Sequence, residues 1–312
     1  MRRHFTVLLI AASAVVSTGA GLMAALVMRD GPDTDRTRPA EQADAPRTPH
    51  SGDHAADIAA GSRDTAKDTL RRLRFDPARL RRTVQAYLAG RPAKAGVMAL
   101  DLRTGRAFGH NENARFVIAS VMKVDILTGL LLQRQGRHRD LSTEERDLAD
   151  RMIRESDNTA ADALYARSGY GTGIQRANRH LGLRSTTPFT TSWGSSLTSP
   201  ADQVRLLSAL TTSTSPLGAP GRAYVLGLMG SVLHEQAWGI SKAALSGERV
   251  ALKNGWTPVH HQGHGWAVNS IGRITGPDHD FLVAACSAES PTMESGVTTI
   301  EQLTTMVVSS MR

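Results

Sequence analysis

The chain has 312 residues, of which 40% are hydrophobic, enough for one large domain or two small ones with a sizeable core. Its formal charge of +8 is modest, and its arginines are not interleaved with aromatics, which total 4%, so nucleic-acid binding finds no support. The lone Cys286 cannot form an internal disulfide and sits in the apolar run 281–286, which reads as a buried structural thiol and argues against thioester chemistry.

Met1-Arg2-Arg3-His4 followed by the charge-free residues 5–28 reads as an export signal with its basic end held inside. The run approaches bilayer-spanning length, so residues 1–28 read as an uncleaved anchor. A cleaved signal peptide is the alternative, since small residues at 17–21 and at Ala24-Ala25 suit a signal peptidase. No cysteine lies near the end of the run, which removes a lipid anchor. The mature chain is thus expected outside the cytoplasm, anchored or secreted, meeting the membrane through this segment alone. Residues 29–63 are rich in Asp, Arg, Pro, Thr, Ala and Gly and read as a disordered linker, leaving 69–312 as the folded domain.

From Thr69 the pattern is helical: Leu70, Leu73, Leu80, Val84 and Leu88 form a stripe ending at Gly90, bordered by arginines that read as a solvated face. Residues 96–100 and 106–109 read as a hairpin around Arg103-Thr104-Gly105. From Ser120 to about Leu233 apolar residues recur at helical spacing, with turns at Gly136, across Gly169, Gly171 and Gly173, and at Pro188. Ser142 and Glu145 form a capping box for a helix over 143–154. Strands return over 249–256, 265–275 and 280–287, before a final helix carrying Val297, Ile300, Leu303, Val307 and Met311. Strands at both ends with helices between imply an α+β fold: a mainly antiparallel five-stranded sheet flanked by helices, with an all-helical lobe inserted. The cleft between the lobes is where a site belongs.

Ser120-Val121-Met122-Lys123 stands at the head of a helix. Three residues apart, the two polar side chains share a face, about 5 to 6 Å between Cβ atoms. A lysine kept neutral by burial or by a neighbouring cation can take the serine proton, and the helix end offers free N–H groups to an oxyanion. Alone, the pair also fits an N-cap serine beside a solvated lysine. Two further segments change the weighing. Ser156-Asp157-Asn158 occupies a turn between helices, and Lys253-Asn254-Gly255-Trp256 ends a strand whose alternation puts Lys253 and Gly255 on one face, with Gly255 admitting a substrate close to the backbone.

In this order the three motifs resemble those of the penicillin-recognising serine enzymes, and in particular the class A β-lactamases, over roughly 69–312. The resemblance implies Ser120 as the acylated nucleophile, Lys123 as its base, and Ser156 as the proton relay to the departing nitrogen. It implies that Asn158 binds the substrate amide and steadies Lys123. Lys253 would keep Lys123 neutral by like-charge proximity and attract the substrate carboxylate, and the backbone N–H groups of Ser120 and Trp256 would form the oxyanion hole. The expected substrates are β-lactams or D-alanyl stem peptides of peptidoglycan, met by a monomer with no metal or organic cofactor.

Three features depart from the family. Asn254 replaces the usual threonine or serine, whose hydroxyl helps bind the substrate carboxylate. The loop over 184–200 carries no acid where class A enzymes have a water-activating glutamate, and Asp202, the nearest carboxylate, suits the first turn of the following helix as a cap. The interval between the first two motifs is short for class A, implying an open cleft suited to a stem peptide. His260, His261 and His264 lie in a strand connection without acidic or thiol partners and read as loop. Trp193 and Trp266 are candidates for cleft lining or for packing.

Overall fold

The sheet is antiparallel throughout because each strand pair is closed by a turn or returns from the opposite end of the domain. The computed structural model describes residues 75–260 and 263–312. The anchor, the linker, the start of the first helix at Thr69 and His261 therefore lie outside the described residues.

Helix α1 (Pro77–Ala89) is capped by Asp76, whose side chain accepts the Arg79 amide, and buries Leu80 and Val84. Strands β1 (Lys94–Asp101) and β2 (Ala107–His110) form the expected hairpin. A two-residue strand, β3 (Phe116–Val117), leads into a turn of 3-10 helix over Ala119–Val121 and then helix α2 (Met122–Gln135). Every residue of α2 from Met122 to Leu130 is buried, so this is the central helix of its lobe rather than an amphipathic surface one. Helix α3 (Thr143–Asp150) starts at the Ser142–Glu145 capping box and passes into a π turn over Arg151–Glu155, shortening the helix expected to reach residue 154.

Helices α4 (Asn158–Arg167) and α5 (Tyr170–His180) follow. Only Gly169 makes the turn between them, at φ +83°; Gly171 and Gly173 lie within α5, where a Cβ on Gly173 would sit 1.7 Å from the Ser168 carbonyl oxygen. Gly171 lets the 188–189 backbone pass close to α5, and Gly173 lets α5 pass close to the end of α4, so neither makes the turn expected of it. Strand β4 (Leu197–Thr198) pairs with β3, a ribbon too short to carry any periodicity. Helices α6 (Pro200–Thr211) and α7 (Ala219–Met229) complete the lobe. Strands β5 (Arg249–Pro258), β6 (Trp266–Thr275) and β7 (Asp280–Ser290) precede the closing helix α8 (Met293–Met311).

The strand order β2-β1-β7-β6-β5 puts β7 beside β1 and leaves β5 at an edge. Two cores flank the sheet. On one face Val97, Ala99, Val283 and Ala285 pack with Leu80, Val84, Ile300, Leu303 and Val307 of α1 and α8. On the other, Ile271, Leu282 and Ala284 meet the buried side chains of the helical lobe. Each of the valine, leucine and isoleucine side chains contributes about 1.5–3 kcal/mol when fully buried. Cys286 is buried in β7, where burial pushes its thiol up to about 12, leaving it unreactive. No helix among the described residues is long and apolar enough to cross a membrane.

Candidate functional site

The nucleophile candidate is delivered by a short, pinned segment. Ala119 has φ +49°, a left-handed conformation that costs a residue with a side chain about 1–3 kcal/mol and is held by its surroundings. The holding groups are visible: the Asn269 amide on β6 donates to the carbonyl oxygens of Val117 (2.9 Å) and Ile118 (3.1 Å), and the Ile118 N–H donates to the Ser196 carbonyl (2.8 Å). Ser120 follows, half-buried, one turn before Lys123.

The second segment also depends on an unusual backbone. The π turn ends with Ser156 at φ +62°, and this left-handed residue turns both its carbonyl and its hydroxyl toward α2. Lys123 Nζ donates to the Ser156 carbonyl oxygen (2.5 Å), to Ser156 Oγ (3.1 Å) and to Asn158 Oδ1 (2.8 Å). From the sheet side, Lys253 Nζ donates to the same Ser156 Oγ (2.9 Å) and to the Asn254 carbonyl oxygen (2.9 Å). A hydroxyl has two acceptor lone pairs and one proton, so with both amines donating to it Ser156 keeps its proton for a third partner.

Both lysines are fully buried. Burial lowers Lys123 to about 8, against the opposing pull of the Asp157 and Asp162 carboxylates. Lys253 is driven well below the usual lysine range, by burial first and by the Lys123 charge second. Desolvation is thus the largest cause of the lowered Lys123 value, while the like-charge effect falls on the deeper Lys253.

Gly255 continues β5 beyond Lys253, and the turn carrying Ser120 approaches its backbone closely. A Cβ on Gly255 would lie 2.7 Å from the amide nitrogens of both Ser120 and Val121. This contact sets the Ser120 amide against the edge strand that carries Trp256, whose indole rests on Trp238 with centroids 5.6 Å apart. Asn254 is the candidate that the structure does not bring in. Strand alternation sends its side chain to the opposite face from Lys253, where its Nδ2 donates to the carbonyl oxygens of Gln236 (2.7 Å) and Trp238 (3.0 Å). It fastens the 236–238 loop instead of facing a substrate carboxylate.

The sequence marks Trp193 in the acid-poor loop as a candidate for cleft lining or packing, but not the partners it finds. Trp193 packs its ring over the Lys123 amine, 4.9 Å from Nζ to the ring centroid, and its indole N–H donates to Asp162 Oδ1 on α4 (2.7 Å). Trp266, by contrast, packs against the α8 core. Asp202 lies in the first turn of α6, but Ser199 caps that helix. The Asp202 carboxylate turns away and accepts the amides of Arg184, Ser185 and Thr186 at 2.6 to 3.0 Å, the Thr186 hydroxyl (2.8 Å) and Arg205 (2.6 Å), fixing the start of the loop. Asp202→Asn removes the charge that these donors converge on and is expected to cost about 2 kcal/mol of stability, read as a lower denaturation midpoint.

His260 and His264 lie in the β5–β6 connection, and among the described residues no group of three His, Cys, Asp or Glu side chains is placed to hold a metal ion.

Comparison with known proteins agrees with this architecture. "Putative lipoprotein LppW" of Mycobacterium tuberculosis is 27% identical over 234 residues, 72% of this chain and 73% of that protein. A class A beta-lactamase from Mycobacterium abscessus shares the fold with a TM-score of 0.64 at 22% identity, over 74% of this chain and 98% of the other. A mutant of PBP-A, solved as an acyl-enzyme complex with penicillin-G, superposes with a TM-score of 0.65 at 19% identity, over 74% of this chain and 96% of the other. The sequence signature described as "Beta-lactamase enzyme family" matches residues 79–146 and 135–311, taking in all three motifs, the central helix and the whole sheet, and the chain therefore belongs to the β-lactamase enzyme family.

Proposed function

We propose that this protein is an exported serine hydrolase, acylated at Ser120 by β-lactams or D-alanyl peptides and slow to release the acyl group. The observation that carries the reading is the single hydroxyl, Ser156 Oγ, held between two buried amines at 3.1 and 2.9 Å. Neutral Lys123 takes the Ser120 proton as Oγ attacks the carbonyl carbon. The amides of Ser120 and Trp256 receive the oxyanion, each such donor lowering the barrier by about 3 to 4 kcal/mol. As the carbon–nitrogen bond breaks, Ser156 gives its proton to the departing nitrogen and is reprotonated from the lysine pair, leaving an ester on Ser120. Export is supported by residues 1–28 and by the lipoprotein named among the relatives, although this chain's one cysteine, Cys286, is far from that segment.

Because the base must be neutral, acylation is expected to fall about tenfold per pH unit below the Lys123 value of about 8 and to level off above it, measured as second-order labelling rates with a fluorescent penicillin. Intact-mass measurement over time on the purified protein tests the reading. A transient adduct supports a hydrolase, and no adduct with either substrate class overturns it. A permanent adduct favours the second reading, a penicillin- or peptidoglycan-binding surface module, which the acid-free loop 184–200 makes worth testing.

A further inference from the structure

The residues above the reacting groups carry a consequence for the lifetime of the ester, and it rests on the acylation reading just given. Hydrolysis of that ester needs a water molecule at the carbonyl carbon: the water oxygen bonds to carbon, the Ser120 Oγ–C bond breaks, and the water proton ends on Oγ. In this site the space above the amine that would manage the proton is occupied by Trp193. The indole stands over Lys123, which has no exposed surface at all. A second observation, independent of that stacking, fixes the ring: its N–H donates at 2.7 Å to Asp162, a residue of another element, α4. The segment is anchored on both sides of the ring as well. Ser196 Oγ accepts the Phe189 amide at 2.9 Å, and the Ser196 carbonyl accepts the Ile118 amide at 2.8 Å, two residues before the nucleophile. Ring and nucleophile turn are thus one connected assembly.

We propose that Trp193 is a positioning residue that roofs Lys123 against water, that Asp162 latches the roof shut through the indole N–H, and that opening this latch sets how fast the acyl-enzyme is hydrolysed. Asp162 acts through Trp193 in this arrangement and is not itself the water-activating base. A cation over the face of a tryptophan is stabilised by the ring, so closure also steadies the protonated amine between turnovers. The substrates favoured are those whose acyl part leaves the indole in place, and their adducts last longest.

The test uses the whole protein and four variants, Trp193→Ala, Trp193→Phe, Asp162→Ala and Asp162→Asn, with two readouts. The first is the lifetime of the penicilloyl adduct by intact mass. Trp193→Ala and Asp162→Ala are expected to shorten it at least tenfold, Trp193→Phe to shorten it less because the ring remains, and Asp162→Asn to retain a long lifetime because its amide oxygen still accepts the indole N–H. The second readout needs no acylation: labelling of Lys123 by a small amine-reactive sulfonate, located by peptide mass mapping at pH 8. Lys123 is expected to be protected in the wild type and in Asp162→Asn, and labelled at least tenfold faster in Trp193→Ala and Asp162→Ala. A role confined to folding would lower melting temperatures without this pattern. Unchanged Lys123 labelling in both alanine variants overturns the roof even if no adduct ever forms, whereas absent adducts with the expected labelling pattern overturn only the acylation reading. A longer adduct lifetime in both Asp162→Asn and Asp162→Ala would make Asp162 the base and overturn the latch.

Discussion

Replacing Lys123 with methionine is expected to slow acylation of Ser120 by a penicillin about 10³-fold, within the range that a positioned general base contributes. The effect follows from the role proposed above for the Lys123 amine as the base that takes the Ser120 proton. Lys253 Nζ is instead committed to Ser156 Oγ and to the Asn254 carbonyl. Methionine keeps the volume and unbranched shape of the lysine stem, so the packing of α2 survives. Two costs then oppose each other. The Ser156 carbonyl and Asn158 Oδ1 lose their donor, a penalty of about 1–3 kcal/mol, while the burden of holding an amine in a fully desolvated position disappears. Stability changes little and the rate collapses. Stopped-flow labelling with a fluorescent penicillin, set beside a thermal melt of the same sample, separates the two. A variant that melts normally and acylates within tenfold of wild type would remove Lys123 from the reaction.

The second large effect comes from one methyl group. Gly255→Ala puts a Cβ 2.7 Å from the amide nitrogens of Ser120 and Val121 and 3.0 Å from the Ile118 carbonyl oxygen. These are backbone atoms, and the segment they belong to is already held by Asn269 and Ser196, so it has no slack in which to retreat. Overpacking of this kind costs about 1–3 kcal/mol. The catalytic cost is larger, because a shift of about 1 Å between reacting groups lowers rates on the order of 100-fold. Acylation is expected to drop at least that far with a melting temperature lowered by several degrees. An alanine variant with wild-type labelling kinetics would mean that β5 and the nucleophile turn are not in the contact described.

Much of this architecture is readable from local rules. The Ser142–Glu145 capping box, the β1–β2 hairpin around Gly105 and the apolar stripe of α8 each depend on residues close in the chain, and each forms where its pattern stands. The three motifs are readable for a different reason, since their order carries a family resemblance that spacing alone would not. What was not legible depends on contacts made across the chain. Nothing about Trp193 announces that its ring will cover an amine seventy residues earlier, and nothing about Asn269 announces that its amide will hold the strand before Ser120. Asp202 reads as a helix cap because the local rule for a first-turn acid is strong, but three loop amides offer the carboxylate more donors than its own helix can. Asn254 shows the limit of motif reasoning. Its position follows from the alignment of the third motif, yet the pleat of β5 and two loop carbonyls decide where its amide goes.

The proposed function stands on Ser120 as the hydroxyl that gives up its proton and becomes acylated. Mapping the penicilloyl group by peptide mass spectrometry, in wild type and in Ser120→Ala, tests it most directly. The wild type is expected to carry a single modification, on the peptide containing Ser120, and the alanine variant none under the same exposure. A modification on any other residue, or one that persists in Ser120→Ala, would contradict it.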